Sequence, residues 1–280
     1  LSKGEIKVDR ILEDNKIFKI VYNTLADNLF EYANIVNPIR QIGIAESLAK
    51  EIEKDRDALR EKDPAAKLFA GEKGNEYVLS YKSLEAVMMY RIFHYIFNFK
   101  ETDFDYSDTF QIQANKLSNK TKVDTGVEIH PAAKIGQRFV IDHGCATVIG
   151  QTCEIGDNCY ILHGVTLGAT KISGNPTGRR HPKLYNNVEI GGFARLFGNI
   201  SIGENTIING YTVIDRSIPE NKTVSVINQI QLCHNRKDIE MPIENKDTEA
   251  VVIYGLRPNN DCLEIIGRNL NYCTSIDLLK

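Results

Sequence analysis

The chain has 280 residues, 42% hydrophobic and 25% charged, a globular balance with core enough for one large domain or two ordinary ones. Lys and Arg number 34 against 37 Asp and Glu, a net charge of −3 that speaks against a chain built to hold nucleic acid or anionic lipid. The longest apolar stretch, Val87 to Phe99, is broken by Arg91 and His94, so no membrane span is expected, and the start Leu1-Ser2-Lys3-Gly4-Glu5 has no signal-peptide run behind it.

The first part of the chain, to about residue 98, reads as helical. Ile17, Ile20, Val21, Leu25 and Leu29 recur at three- and four-residue spacing, one face of a helix. Ile44, Leu48, Ile52 and Leu59 mark a second helix, whose charges from Glu51 through Lys54-Asp55-Arg56-Asp57 to Lys62 read as a solvated face. Asp63-Pro64 ends it, because the residue before proline is pushed out of the α region. A third helix is expected from Ser83 to about Phe97. Residues 100–125 are polar, show little periodicity, and read as a connector.

The middle of the chain carries a different period. Ile129, Ile135, Ile141, Ile149, Ile155, Ile161, Leu167, Ile190, Leu196, Ile202, Ile208 and Ile214 step mostly by six. Six fits neither a 3.6-residue helix nor a lone strand, but it fits a solenoid of short strands meeting at corners, one aliphatic per side pointing inward. Three sides make a coil of about 18 residues, hence roughly four coils. The period breaks twice: by two residues near Cys145-Ala146, and between Leu167 and Ile190, where a loop of roughly 17 extra residues is expected. Both breaks lie beside histidines. Beyond Pro219 the repeat is expected to stop, with one strand in Glu249–Leu256. The six cysteines at 145, 153, 159, 233, 262 and 273 include no Cys-x-x-Cys pair, so they read as free thiols in a reducing cytoplasm.

Four segments of this repeat, Glu128-Ile129-His130-Pro131-Ala132-Ala133-Lys134-Ile135-Gly136, Ile141-Asp142-His143-Gly144, Ile161-Leu162-His163-Gly164-Val165-Thr166-Leu167-Gly168 and Arg180-His181-Pro182-Lys183, resemble the serine O-acetyltransferase family of hexapeptide-repeat acyltransferases. Asp63-Pro64 and Tyr90-Arg91-Ile92 resemble that family's N-terminal part. The resemblance implies an α+β protein: an α-helical oligomerisation domain with connector (1–125), a left-handed parallel β-helix (126–220) and a C-terminal tail (221–280). It implies acetyl transfer from acetyl-CoA to the L-serine hydroxyl, giving O-acetyl-L-serine for cysteine synthesis, with no metal and no covalent enzyme intermediate. The assembly implied is a homotrimer or a dimer of trimers, with each site shared by two chains and cysteine competing for the same pocket.

The chemistry requires a base to take the alcohol proton, and imidazole suits that near neutral pH. The resemblance makes His143 that base, with His181 completing the pocket and Glu128, where the family has Asp, orienting His143. Asp63 and Asp142 would face the substrate ammonium and Arg180 its carboxylate. Gly192 and Ala194 match small positions beside the pantetheine arm, and Lys183, Lys222 or Arg195 would approach the CoA phosphates. His163 divides evenly between structural and functional use, His130 supports a corner, and His94 and His234 read as surface or packing residues. Departures from the family pattern are Cys145, Gln151 for Glu, Arg179, Asn209 and Tyr211, and a segment Val224–Gln229 without its usual Gly and Pro. The ending Asp277-Leu278-Leu279-Lys280 in place of Ile speaks against a cysteine synthase complex. Other readings stay open: a hexapeptide transferase for homoserine or a sugar, a non-catalytic scaffold, or a metal enzyme built on His130, His143, His163 and His181.

Overall fold

The computed structural model describes residues 15–31, 33–100 and 107–226, together with the backbone of a hairpin at 252–259 and 262–268. Residues 1–225 and 226–280 form two separate units. His234 and most of the tail lie outside the described residues.

Among the described residues, the first unit opens with the α-helices α1 (Lys16–Leu25), α2 (Pro38–Lys62), α3 (Glu72–Leu79), α4 (Lys82–Phe97) and α5 (Ser107–Thr125). The Asn15 side chain caps α1 by accepting from Phe18 N, and Asn37 caps α2 by accepting from Ile39 N, with Pro38 pre-set for the first turn. As expected, α2 ends at Asp63-Pro64. Two expectations are corrected here. Residues 107–125 form a helix, whose polar sequence follows from its docking only through spaced residues such as Phe110 and Ala114. Asp55, read as part of a solvated face, is fully buried.

The repeat folds as a left-handed parallel β-helix with three faces. Face A stacks β1 (Glu128–Ile129), β4 (Val148–Ile149), β7 (Thr166–Gly168), β10 (Arg195–Phe197) and β13 (Val213–Ile214). Face B stacks β2 (Lys134–Ile135), β5 (Glu154–Ile155), β8 (Lys183–Leu184) and β11 (Ser201–Ile202). Face C stacks β3 (Val140–Ile141), β6 (Tyr160–Ile161), β9 (Glu189–Ile190), β12 (Ile207–Ile208) and β14 (Thr223–Val224). Inward aliphatics sit in register from coil to coil, as in Ile141 opposite Ile161 and Ile161 opposite Ile190. Each such side chain contributes about 1.5–3 kcal/mol on burial, more than the cost of a left-handed backbone residue at a corner. Asn158, Asn187, Asn205 and Asn221 take that conformation at the B–C corner, with φ of 58, 57, 56 and 56°.

The structure also revises the repeat. Leu184, six residues before Ile190, is a further inward core residue and extends the repeat back toward the excursion. The excursion after β7 is therefore shorter than expected, running from Ala169 to Pro182. The stack continues past Pro219 to β14, which pairs with β12. In the second unit, β15 (Val252–Asn259) and β16 (Cys262–Arg268) form an antiparallel hairpin where one strand was expected.

The helices cover the outer side of face C at its first coil, where outward-facing Val140 joins the helical core. A buried clasp fixes this docking. Arg91 of α4 donates from Nε and Nη2 to the Asp55 carboxylate of α2 at 2.9 and 3.1 Å, and from Nη1 to Ile135 O at 2.7 Å and from Nη2 to Gly136 O at 2.5 Å. Phe139 N donates to Asp55 Oδ1 at 2.8 Å. Burial pushes the Asp55 carboxyl up, while the guanidinium and the Phe139 N–H pull it back.

Candidate active site

His143 sits where the coil is interrupted. Between Asp142 and Ala146, three residues (His143, Gly144, Cys145) stand where each later coil has one: His163, Gly192 and Gly210. The extra length is taken up by two consecutive γ-turns: Gly144 N donates to Asp142 O at 2.7 Å, and Cys145 N donates to His143 O at 3.1 Å. Their central residues have φ of 59° at His143 and 79° at Gly144. A left-handed histidine costs about 1–2 kcal/mol, and the turn it occupies pushes the imidazole out from the C–A corner, 73% exposed.

The helices supply the rest of this cleft. It has a volume of about 640 Å³ and is lined by Asp63 and Pro64 from the end of α2, by Tyr81, Lys82 and Ser83 around the start of α4, and by Asp142 and His143. Ser83 packs against Gly144: a Cβ there would lie 3.0 Å from Ser83 Cβ and 2.9 Å from Val127 Cγ2. Each carboxylate of the cleft is held by a phenol. Tyr81 Oη donates to Asp63 Oδ2 and Tyr160 Oη to Asp142 Oδ2, both at 2.6 Å. Ala65 N donates to Asp63 Oδ1 at 2.7 Å, and Asp142 Oδ1 lies 3.9 Å from His143 Nδ1. The structure thus brings together Asp63, Asp142 and His143.

Glu128 is placed differently. It lies on the outer side of face A, where Lys122 of α5 takes its carboxylate, while the carboxylate beside His143 is that of Asp142.

Arg180 and His181 lie at the other edge of face A. A Cβ on Gly150 would fall 2.2 Å from His181 Cδ2 and Nε2, so the ring rests on the bare glycine backbone. Thr152 orients that ring. Its Oγ1 accepts from the backbone N of Arg180 at 3.0 Å and of His181 at 3.2 Å, leaving its own proton for His181 Nδ1 at 2.8 Å. Thr152 N donates to the same Nδ1 at 3.2 Å. The neutral ring therefore carries its proton on Nε2. Burial, reinforced by the charge of Arg180 and by His130, lowers the His181 pKa to about 4. At neutral pH, His181 is an N–H donor rather than a base. Arg180 Nη2 donates to Gln151 Oε1 at 2.6 Å, a neutral partner that leaves the guanidinium charge available to a carboxylate.

Within one chain these two clusters do not meet. From Ala146 to Gly150 the extended chain crosses face A, roughly 13 Å at 3.3 Å per residue, far beyond hydrogen-bond reach. The residues assigned to CoA are also dispersed. Lys183 lies on face B with its Nζ 3.0 Å from Glu154 Oε2, and Lys222 follows Asn221 at the B–C corner. Ala194 is fully buried in the core of the prism, so its side chain is not available to a ligand. Arg195 is exposed on face A, and Gly192 lies on the edge that carries His143, against the ring of His163. Sequence reasoning missed Tyr81, Tyr160, Thr152 and Gly150, which act through contacts 18 to 31 residues away and leave no local signature.

Among the described residues, no group of three or more His, Cys, Asp or Glu is arranged to hold a metal ion, and no helix is long and apolar enough to cross a membrane.

No family model matches the sequence. The chain is 36% identical over 198 residues to the serine acetyltransferase of Bacillus pumilus, covering 71% of this chain and 83% of that one. With the serine acetyltransferase of Synechococcus elongatus it shares 37% identity over 207 residues, 73% of this chain and 78% of the other. The crystal structure of Neisseria gonorrhoeae serine acetyltransferase in complex with serine superposes with a TM-score of 0.57 at 29% identity, covering 78% of this chain and 86% of that one. The strained histidine turn, the paired carboxylates and the three-faced prism thus accompany similarity along most of the chain, which belongs to the serine acetyltransferase family and is, with it, an acyltransferase.

Proposed function

We propose that this chain transfers acetyl from acetyl-CoA to the hydroxyl of L-serine. One observation carries the reading: the two edges of face A bear opposite charge. Asp63 and Asp142 suit an ammonium, and Arg180 with the Nε2–H of His181 suits a carboxylate. A zwitterionic amino acid satisfies both only where the C–A edge of one copy lies against the A–B edge of another. A closed homotrimer with face A toward its axis meets that condition three times. The direction of the acyl donor follows from what the cleft already holds. The helices wall it on the acceptor side, leaving the later coils past His163 and Gly192 for the thioester arm.

In the reaction, His143 accepts the serine hydroxyl proton as the serine oxygen attacks the thioester carbonyl carbon. The carbon–sulfur bond then breaks, and the departing thiolate takes the proton from the imidazolium, which balances the step without a covalent enzyme intermediate. His143, the histidine that lines the cleft, has a mostly exposed imidazole able to do this. His181 is not, since its Nε2 already holds a proton. The thiols of Cys145, Cys153 and Cys159 are free, which suits a reducing cytoplasm.

The test is CoA release from acetyl-CoA with L-serine, homoserine, threonine or an amino sugar offered separately. Serine-dependent release is expected, and His143→Ala should lower its rate by about 10²–10⁴-fold with assembly intact. Release with another acceptor but not with serine would overturn the assignment of substrate. Release with none would overturn the enzymatic reading.

A further inference from the structure

One cavity of the helical layer has no part in the reaction above. It has a volume of about 660 Å³ and lies between the C-terminal half of α2 and the start of α3. Arg56, Arg60 and Lys67 line it, in a chain whose net charge is −3. Its two carboxylates are already engaged. Asp57 Oδ1 accepts from Nε and Nη2 of Arg56 at 2.9 and 2.8 Å, and Glu61 accepts from Arg138 of the β-helix. Two cations are left over. Arg60 Nη1 donates to the neutral Asn75 Oδ1 at 3.0 Å, and Asn75 donates onward to Glu72 Oε2 at 3.3 Å. Among the described residues, the Lys67 ammonium has no hydrogen-bond or ion-pair partner.

The neighbouring helix is shaped for the guanidinium. Gly74 lies inside α3, where glycine is a poor helix former. A Cβ there would fall 2.8 Å from Arg60 Nε and 3.0 Å from Phe69 O, so a bare backbone is what seats the side chain. The cavity wall also carries a ring. Phe69 is 40% exposed and stacks on Tyr77 at 4.8 Å between centroids, and Leu68 beside it is 82% exposed. Apolar side chains left in solvent beside uncompensated cations suit an anion that carries an aromatic group.

We propose that this cavity binds a mononucleotide, with its phosphate between Arg60 and Lys67 and its base on Phe69. A guanidinium fork and an ammonium match a phosphate dianion in charge and in donor geometry. The base stacks on a ring that Tyr77 already holds in place. The site also sits astride the turn that carries Asp63, because Arg60 lies three residues before it and Lys67 four after. Lys67 N donates to Asp63 O at 3.3 Å, a long bond, and a phosphate held by both side chains ties the two flanks of that turn together. Resting on the acetyl-transfer reading, which puts Asp63 at the substrate ammonium, a nucleotide here reaches the serine cleft from outside it.

The test is isothermal titration calorimetry of the intact assembly with adenosine 5′-monophosphate and, separately, inorganic phosphate, at fixed ionic strength and without serine or acetyl-CoA. Saturable binding of the nucleotide is expected, about tenfold tighter than that of phosphate. Lys67→Gln alters an exposed side chain outside the core and should weaken nucleotide binding about tenfold. Arg60→Gln, which keeps a polar group for Asn75, should weaken it by about as much. Lys120→Gln, exposed on α5 and outside the cavity, should leave the affinity unchanged. Absence of saturable binding, equal affinity for nucleotide and phosphate, or affinity that survives both cavity variants overturns the proposal, as does an equal loss in Lys120→Gln. For the turn, hydrogen exchange at the Lys67 amide should slow about threefold in the saturated protein, and unchanged exchange overturns the link to Asp63. No acetyl transfer enters these measurements, so they fail or succeed separately from the serine assay.

Discussion

His143 and His181 show how differently one fold can hold two side chains of the same kind. One is lifted into solvent on a strained turn; the other is laid on a glycine backbone and given two donors at Nδ1. The second arrangement has a thermodynamic signature. An unfolded histidine titrates near 6.5, whereas His181 in the folded chain does so at about 4. Between these values the unfolded chain binds a proton that the folded one does not. The resulting stability is fully present above about pH 6.5 and is lost as pH falls toward 4. His94 and His130 are lowered in the same direction by burial, so the comparison that isolates His181 is His181→Gln, whose amide oxygen can still accept from Thr152. Denaturant unfolding at pH 5 and pH 7 should show a loss on acidification that is about 1–3 kcal/mol smaller in His181→Gln than in the unaltered chain. Equal losses in the two proteins would remove His181 from the account.

The elements that hold these residues were unevenly legible in the sequence. A period of six can be read directly, because each inward aliphatic is a separate requirement of a three-sided prism, and all but Ile135 of the expected positions are buried at 5% or less. Leu184 obeys the same period, six residues before Ile190, but the long insertion hides where the repeat resumes; α5 was not legible because a helix docked by few side chains keeps a polar composition. Asp63, Asp142 and His143 were legible as a set only because their motifs resemble a family; periodicity alone does not bring the end of α2 to the third strand. Asp55 was misread for a related reason. In a charge-rich helix it looks like its neighbours, and its partner Arg91 lies 36 residues further on. That clasp sets the register of α2 against face C, and hence the position of Asp63 over His143. Arg91→Met should cost about 3–5 kcal/mol in unfolding experiments, since it strands a buried carboxylate. Adding Asp55→Leu should recover part of that loss by removing the orphaned charge, although Phe139 N stays unpaired. A double variant no more stable than Arg91→Met would mean that the pair is not what joins the two layers.

At the scale of the whole molecule, the proposed homotrimer would make catalysis a property of the assembly, because face A separates the two histidines within one chain. A chain lacking His143 and a chain lacking His181 would each form inactive trimers, because every site in either one lacks a residue. Mixed trimers are different. Each contains one junction at which His143 of one copy meets His181 of its neighbour, both intact, out of three junctions in the ring. Random assembly from equal amounts places three quarters of trimers in the mixed class. Refolding or co-expressing His143→Ala with His181→Ala should therefore restore about a quarter of the unaltered activity, where simple mixing of preassembled trimers restores none. The fraction is the informative quantity. A site contained in one chain predicts no recovery at any ratio, since neither variant then holds both imidazoles. Recovery that peaks at equal proportions and fades as either variant dominates would identify the junction between copies as the place where the amino acid sits, its ammonium on the carboxylates of one chain and its carboxylate on Arg180 of the next.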